Sequence, residues 1–229
     1  MKLKSLFLLS MIGLLSISGC MKETSENKQV EHHYYSYIDE IPKNKILSGA
    51  IQVEYEKENT PEYMKSVADF IVKATVQSID YADMKYSMIG CTYGTISINE
   101  VFYGDKEISG ILPYIKVGGI IKMEDWENAQ PEEAQNKHRY LREQSQNDEE
   151  YPYTYFDTIT EENIHLEAGK TYLMYLTYHE EIDKYEILGL KNGAREIIED
   201  KNTAKSFFIN DTTGEYEDLS EYLKQYVYE

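Results

Sequence analysis

Few residues in this chain have the type and spacing to do chemistry. Five histidines, His32, His33, His138, His165 and His179, are scattered through 229 residues. A zinc site asks for His and Cys at short fixed spacings, or for a His-Glu-x-x-His turn of helix, and neither pattern occurs. His32-His33 lies in a polar stretch and reads as a solvated pair. His179-Glu180-Glu181-Ile182-Asp183 groups four ligand-type side chains, yet a charged hairpin tip between Tyr178 and Lys184 accounts for it equally well. Asn210-Asp211-Thr212-Thr213-Gly214-Glu215 lacks the alternating acids of a calcium loop and reads as a turn. The acid pairs Glu132-Glu133, Glu149-Glu150 and Glu161-Glu162 are adjacent in sequence, whereas acid–base catalysis needs two carboxyls facing one cleft. No Gly-x-Ser-x-Gly elbow, phosphate loop or dinucleotide fingerprint is present. The expectation is therefore no catalytic residue, no metal ligand and no cofactor.

The two thiols have different prospects. Cys91, in Met88-Ile89-Gly90-Cys91-Thr92, approaches a strand and is expected to be a buried, inert thiol; a nucleophile would need a nearby histidine and a lowered pKa. Cys20 closes a three-part leader: Lys2 and Lys4, an apolar run from Leu6 to Ile17, then small residues. That run is shorter than the about 20 apolar residues that span a bilayer. Ile17-Ser18-Gly19-Cys20 resembles a bacterial lipobox, an aliphatic residue and two small ones before an obligatory cysteine. The resemblance implies diacylglycerol transfer to Cys20 and cleavage before it, leaving residues 20–229 tethered to the outer face of the cell membrane. The competing reading is an ordinary signal peptide, residues 1–19, with a chance cysteine at its end. Once Cys20 is acylated no internal disulfide can form, so stability must come from packing.

Charge narrows the partners. The formal net charge is −18, and it becomes −20 without the first nineteen residues, which hold two lysines and no acids. Such an excess repels nucleic acid and anionic membrane surfaces, both of which are bound through Lys and Arg. A surface protein or a cell-wall component is the expected partner besides the membrane itself. Among the 22 tyrosines, the densest aromatic run is Tyr151-Pro152-Tyr153-Thr154-Tyr155-Phe156. Tyr151, Tyr153, Tyr155 and Phe156 are the candidate recognition surface, with anchoring of their loop onto the domain as the competing role.

These residues must be positioned by the elements around them. Residues 20–61 are polar and read as a tether, with Ile46 to Val53 as a segment able to dock on the domain edge. The domain itself, residues 62–229, opens with a helical turn after Thr60-Pro61. Alternation of Phe70, Val72, Ala74 and Val76 predicts a long strand, and Thr92 to Tyr103 a second, with Ile96, Ile98 and Val101 inward. Ile111 to Met123 is a third strand region broken by Gly118-Gly119; Thr171 to Tyr178, Lys184 to Leu190 and Ala194 to Ile198 follow. Residues 124–167 interrupt the strand pattern and read as a long insertion, with Pro131 to Glu150 as a solvated helix. Leu219, Tyr222, Leu223, Tyr226 and Val227 form one helical stripe at the end.

The order of these segments resembles a family. Ala68-Asp69-Phe70-Ile71-Val72-Lys73-Ala74-Thr75-Val76, Thr95 to Asp105, Gly118-Gly119 and Ala168-Gly169-Lys170-Thr171-Tyr172-Leu173 are similar to the successive strands of netrin-like barrels, the group that includes tissue inhibitors of metalloproteases. Lipoproteins of low-GC Gram-positive bacteria show a similar order. The resemblance implies a mainly β domain: an OB-like barrel of five to six strands with a long insertion and a C-terminal helix. Protease inhibition is not carried over, because the inhibitors use a free N-terminal cysteine and a disulfide framework. The function expected is a membrane-anchored binding or protein-interaction module. A hydrolase with a site assembled from scattered residues, and a spacer without a ligand, are the alternatives.

Overall fold

The computed structural model describes residues 33–48, 60–144, 153–159, 163–189, 191–203, 205–209 and 214–228. Cys20 and Tyr151 lie outside these residues, as does most of the turn expected around Asp211. The protein is mainly β with a C-terminal helix. In chain order the elements are β1 (Tyr35–Ser36), β2 (Ile46–Ser48), α1 (Pro61–Val67), β3 (Phe70–Asp83), β4 (Cys91–Tyr103), β5 (Gly110–Val117) and β6 (Ile120–Lys122). Then come α2 (Met123–Asn128), α3 (Glu132–Gln144), β7 (Tyr155–Asp157), β8 (Thr171–His179), β9 (Lys184–Ile187) and β10 (Ala194–Glu196). β11 (Ile198–Asp200), β12 (Lys205–Ile209), β13 (Tyr216–Asp218) and α4 (Leu219–Tyr226) complete the chain.

The main sheet orders its strands β1-β3-β4-β5-β9-β8-β10, and β3 also pairs with β8. The ladders therefore run from β3 through β4, β5, β9 and β8 and return to β3, with β5–β9 as the one parallel join among these five. Alternation along these strands sends Val72, Ala74, Val76, Ile96, Tyr114, Met174 and Leu176 into one core. Gly94 makes room for Tyr114 there: a Cβ at residue 94 would stand 2.8 Å from the Tyr114 ring and 2.0 Å from the Ser78 carbonyl oxygen.

Strands β3 and β8 are covered on their other face as well. Ile71, Leu173 and Tyr175 point outward onto Met64 of α1, Phe208 of β12 and Tyr222 and Leu223 of α4. Two helix ends are fixed by local chemistry. Thr60 Oγ1 accepts from the Tyr63 amide at 3.3 Å ahead of Pro61, and Asp218 accepts from the Ser220 amide at 2.9 Å at the start of α4.

The structure revises three sequence boundaries. The third strand region does not continue through Met123, because Gly118, at φ 86°, turns the chain out of the main sheet. It resumes as β6, which pairs with β7, and Met123 already belongs to α2. Part of the stretch read as a tether is also paired: β1 pairs with β3, β2, at the start of the segment expected to dock, pairs with β7, and Tyr37 Oη donates to the Ile120 carbonyl at 2.7 Å. Strand edges offer unpaired backbone groups, and the backbones of β1 and β2 satisfy some of them. Finally, the sixth strand region divides into β10, on the main sheet, and β11, in the small sheet with β12 and β13.

Candidate functional site

A row of side chains crosses the outer face of the five strands. Register pairs Tyr81 with Tyr93, Tyr93 with Ile115, Ile115 with Glu186, and Glu186 with Thr177. Cross-strand partners share a face, so one strip is built from β3, β4, β5, β9 and β8. Tyr81 and Tyr93 stack with centroids 4.6 Å apart and planes 13° from parallel. Tyr93 is buried at 8% exposure while Tyr81 is open at 46%, so the pair presents a supported aromatic face to solvent. Below it Cys91, Tyr93 and Ile115 form a small apolar cluster, with Val117 and Ile182 packed against it.

Two connections close over one end of this strip. The loop between β3 and β4 carries Tyr86 and Met88, which are 38% and 90% exposed. The turn between β8 and β9 follows His179. Tyr86 Oη and His179 Nδ1 are 3.1 Å apart, and their rings meet edge to face at 5.8 Å. His179 Nε2 lies 2.5 Å from Glu186 Oε2, and its Nδ1 lies 3.3 Å from Glu181 Oε1. The expected charged hairpin tip is thus present, and its histidine ties the two connections together.

The electrostatics suit recognition. Burial, with Glu186 and Asp83 nearby, pushes the Cys91 thiol up to about 12. Cys91 stays protonated and is held as a packing residue. The Tyr81, Tyr86 and Tyr93 phenols are also raised, chiefly by burial and then by acidic neighbours, so they remain neutral donors. Aromatic faces bordered by Asp83, Glu181 and Glu186 match a cationic group, which gains from both the ring quadrupole and the carboxylates. Among the described residues, no three His, Cys, Asp or Glu side chains converge to hold a metal ion.

No family model, curated protein or solved structure matches this chain.

The aromatic run chosen from sequence is divided. Phe156 is buried in β7 at 7% exposure and packs on Trp126, centroids 4.6 Å apart; Trp126 in turn meets the His138 ring at 5.2 Å. Phe156 fastens the insertion, whereas Tyr153 and Tyr155 are half-buried. His33 is exposed, and His165 Nε2 lies 3.3 Å from Asp157 Oδ2. Sequence reading passed over Tyr81, Tyr86 and Tyr93. β3 continues past Ile79 to Asp83, but its register shifts between Val76 and Ser78 and again between Ile79 and Tyr81, so simple alternation does not place Tyr81; Tyr86 sits in a loop, where no periodicity marks it.

Proposed function

We propose that this chain is a lipid-anchored, extracytoplasmic binding module, held to the cell membrane through Cys20 and built on an OB-like barrel. The barrel reading is supported by the ladder order, first strand to second to third to fifth to fourth and back to the first. OB barrels bind through the face of their second and third strands and through the connections after the first and fourth. Here those strands are β4 and β5; the first of those connections carries Tyr86, and the second begins immediately after His179. That coincidence of the exposed aromatic group with the OB binding face is the observation that carries the proposal. The net charge argues against an oligonucleotide ligand. The favoured ligand is a cationic segment of a surface protein or an amine-bearing wall component. The partly open Tyr153 and Tyr155, beside Tyr151 and the buried Phe156, are the alternative surface.

The test is site-specific photo-cross-linking on intact cells, with the photoreactive residue at position 88 or at position 153, followed by identification of what is captured. A partner captured from position 88 is expected to bind about tenfold or more weakly to the Tyr81→Ala, Tyr86→Ala double variant, as for the loss of aromatic anchors at an interface. The Tyr153→Ala, Tyr155→Ala variant is expected to bind it unchanged. Capture only from position 153 would move the surface to the insertion. No capture from either position would favour the spacer reading and overturn the proposal.

A further inference from the structure

Lys116 is a residue that neither the fold nor the proposed binding face explains. It lies on β5, opposite Thr92 of β4, and shares its inward face with Tyr114. It is 3% exposed and lines a small cavity with Ile79, Ile159, Ile164 and Leu166. Among the described residues no carboxylate pairs with it, and its Nζ donates to Asn163 Oδ1. An unpaired ammonium in apolar surroundings costs several kcal/mol, which is relieved if the amine is neutral. Burial pulls Lys116 down to about 7, so a large share of molecules hold the free, nucleophilic amine near neutral pH.

Asn163 is held to meet that amine. Its Nδ2 donates to the Val117 carbonyl at 3.0 Å, and its Oδ1 accepts from the Ile164 amide at 2.8 Å. The first bond fixes the amide beside Lys116. The second places an N–H donor on the oxygen that would gain charge if Cγ were attacked. His165 lines the same cavity as Lys116, and Asp157 borders its ring.

We propose that Lys116 and Asn163 condense into an intramolecular isopeptide bond, an amide between Lys116 Nζ and Asn163 Cγ. The neutral amine attacks Cγ, the Nζ–Cγ bond forms and the Cγ–Nδ2 bond breaks. A proton passes from Nζ to Nδ2 through the His165 imidazole, and Nδ2 departs as ammonia. Atoms and charge balance without an oxidant, reductant or second substrate. Fixed proximity supplies the large effective concentration that an unactivated amide requires. The product replaces a buried amine with a neutral amide.

The bond would staple β5 to the segment returning from the insertion, 47 positions further along. Cys91 is the only free cysteine among the described residues and no disulfide joins them, so this would be the domain's covalent brace. Like a disulfide, it would act largely by restricting the unfolded chain.

Peptide mapping by mass spectrometry of the purified full-length chain decides the matter. The expected result is a branched tryptic peptide joining the Lys116 and Asn163 segments, one ammonia lighter than their sum, in most molecules, with no cleavage after Lys116. Linear peptides ending at Lys116, alongside an intact Asn163 peptide, would overturn the proposal and leave Lys116 as a buried amine solvated by an amide. A branch from Lys116 to any other residue would overturn the pairing. Lys116→Arg and Asn163→Ala are expected to abolish the branch, and its survival in either would also overturn the pairing. The wild-type map needs no variant to fold. In His165→Gln the branch is expected to form about a hundredfold more slowly after synthesis; an unchanged rate overturns the role given to His165.

Discussion

At the scale of single residues, burial decides what each reactive side chain can do. Cys91 is fully buried, and desolvation with two nearby acids raises its thiol against a smaller opposing pull from Lys116, so thiolate formation is disfavoured. The expected outcome is that a thiol reagent at mildly alkaline pH leaves Cys91 unmodified in the native protein and labels it fully in denaturant. Rapid native labelling would show that the strip over Cys91 opens. The burial of Cys91 was legible in sequence, since a lone cysteine approaching a strand is ordinarily a packing residue. Lys116 was not. In Tyr114-Ile115-Lys116-Val117 alternation puts a lysine on one face with Tyr114, and a lysine ordinarily marks the solvent face. Only the pairing with Thr92 and the returning Asn163 shows that this face is enclosed.

Among the elements, α4 was the most legible, because its apolar stripe repeats at helical spacing over two turns. Leu219, Tyr222, Leu223 and Val227 are all buried, against α1, β8 and β12. Tyr222 does more than pack. Its hydroxyl meets that of Tyr175 at 2.9 Å, and the Arg195 guanidinium lies 5.1 Å from its ring and 4.9 Å from that of Phe208. Removing the Tyr222 hydroxyl strands a buried partner on β8. Tyr222→Phe is expected to destabilise by about 1–2 kcal/mol, and Leu223→Ala by about 2–5 kcal/mol through the cavity it leaves. Chemical denaturation followed by tyrosine fluorescence or circular dichroism would check both. A Leu223→Ala change within error of wild type would mean that α4 is not part of the cooperative unit.

For the molecule as a whole, the anchor proposed at Cys20 and the net charge would act together. If Cys20 carries two acyl chains, the acidic domain would be repelled by anionic lipid at the surface that anchors it. If Cys20 is the acylation site, the full chain is expected to enter the detergent phase in cloud-point partitioning and to incorporate labelled palmitate. Cys20→Ser is expected to do neither. Label retained in Cys20→Ser would move the anchor elsewhere and overturn the lipobox reading. This outcome is independent of the proposed binding face, because residues 1–20 and the strip share no residue.

The sequence by itself determined what depends on contiguous residues. Period-two runs specify the strands and a helical stripe specifies α4. Each is a short-range pattern dictated by backbone geometry. Tertiary structure alone decided which strands are neighbours and in what register. The row from Tyr81 to Thr177 and the meeting of Lys116 with Asn163 join residues separated by many positions. No local periodicity records such pairings, because they are set by which faces the closed run of ladders turns inward and by what the insertion brings back against them.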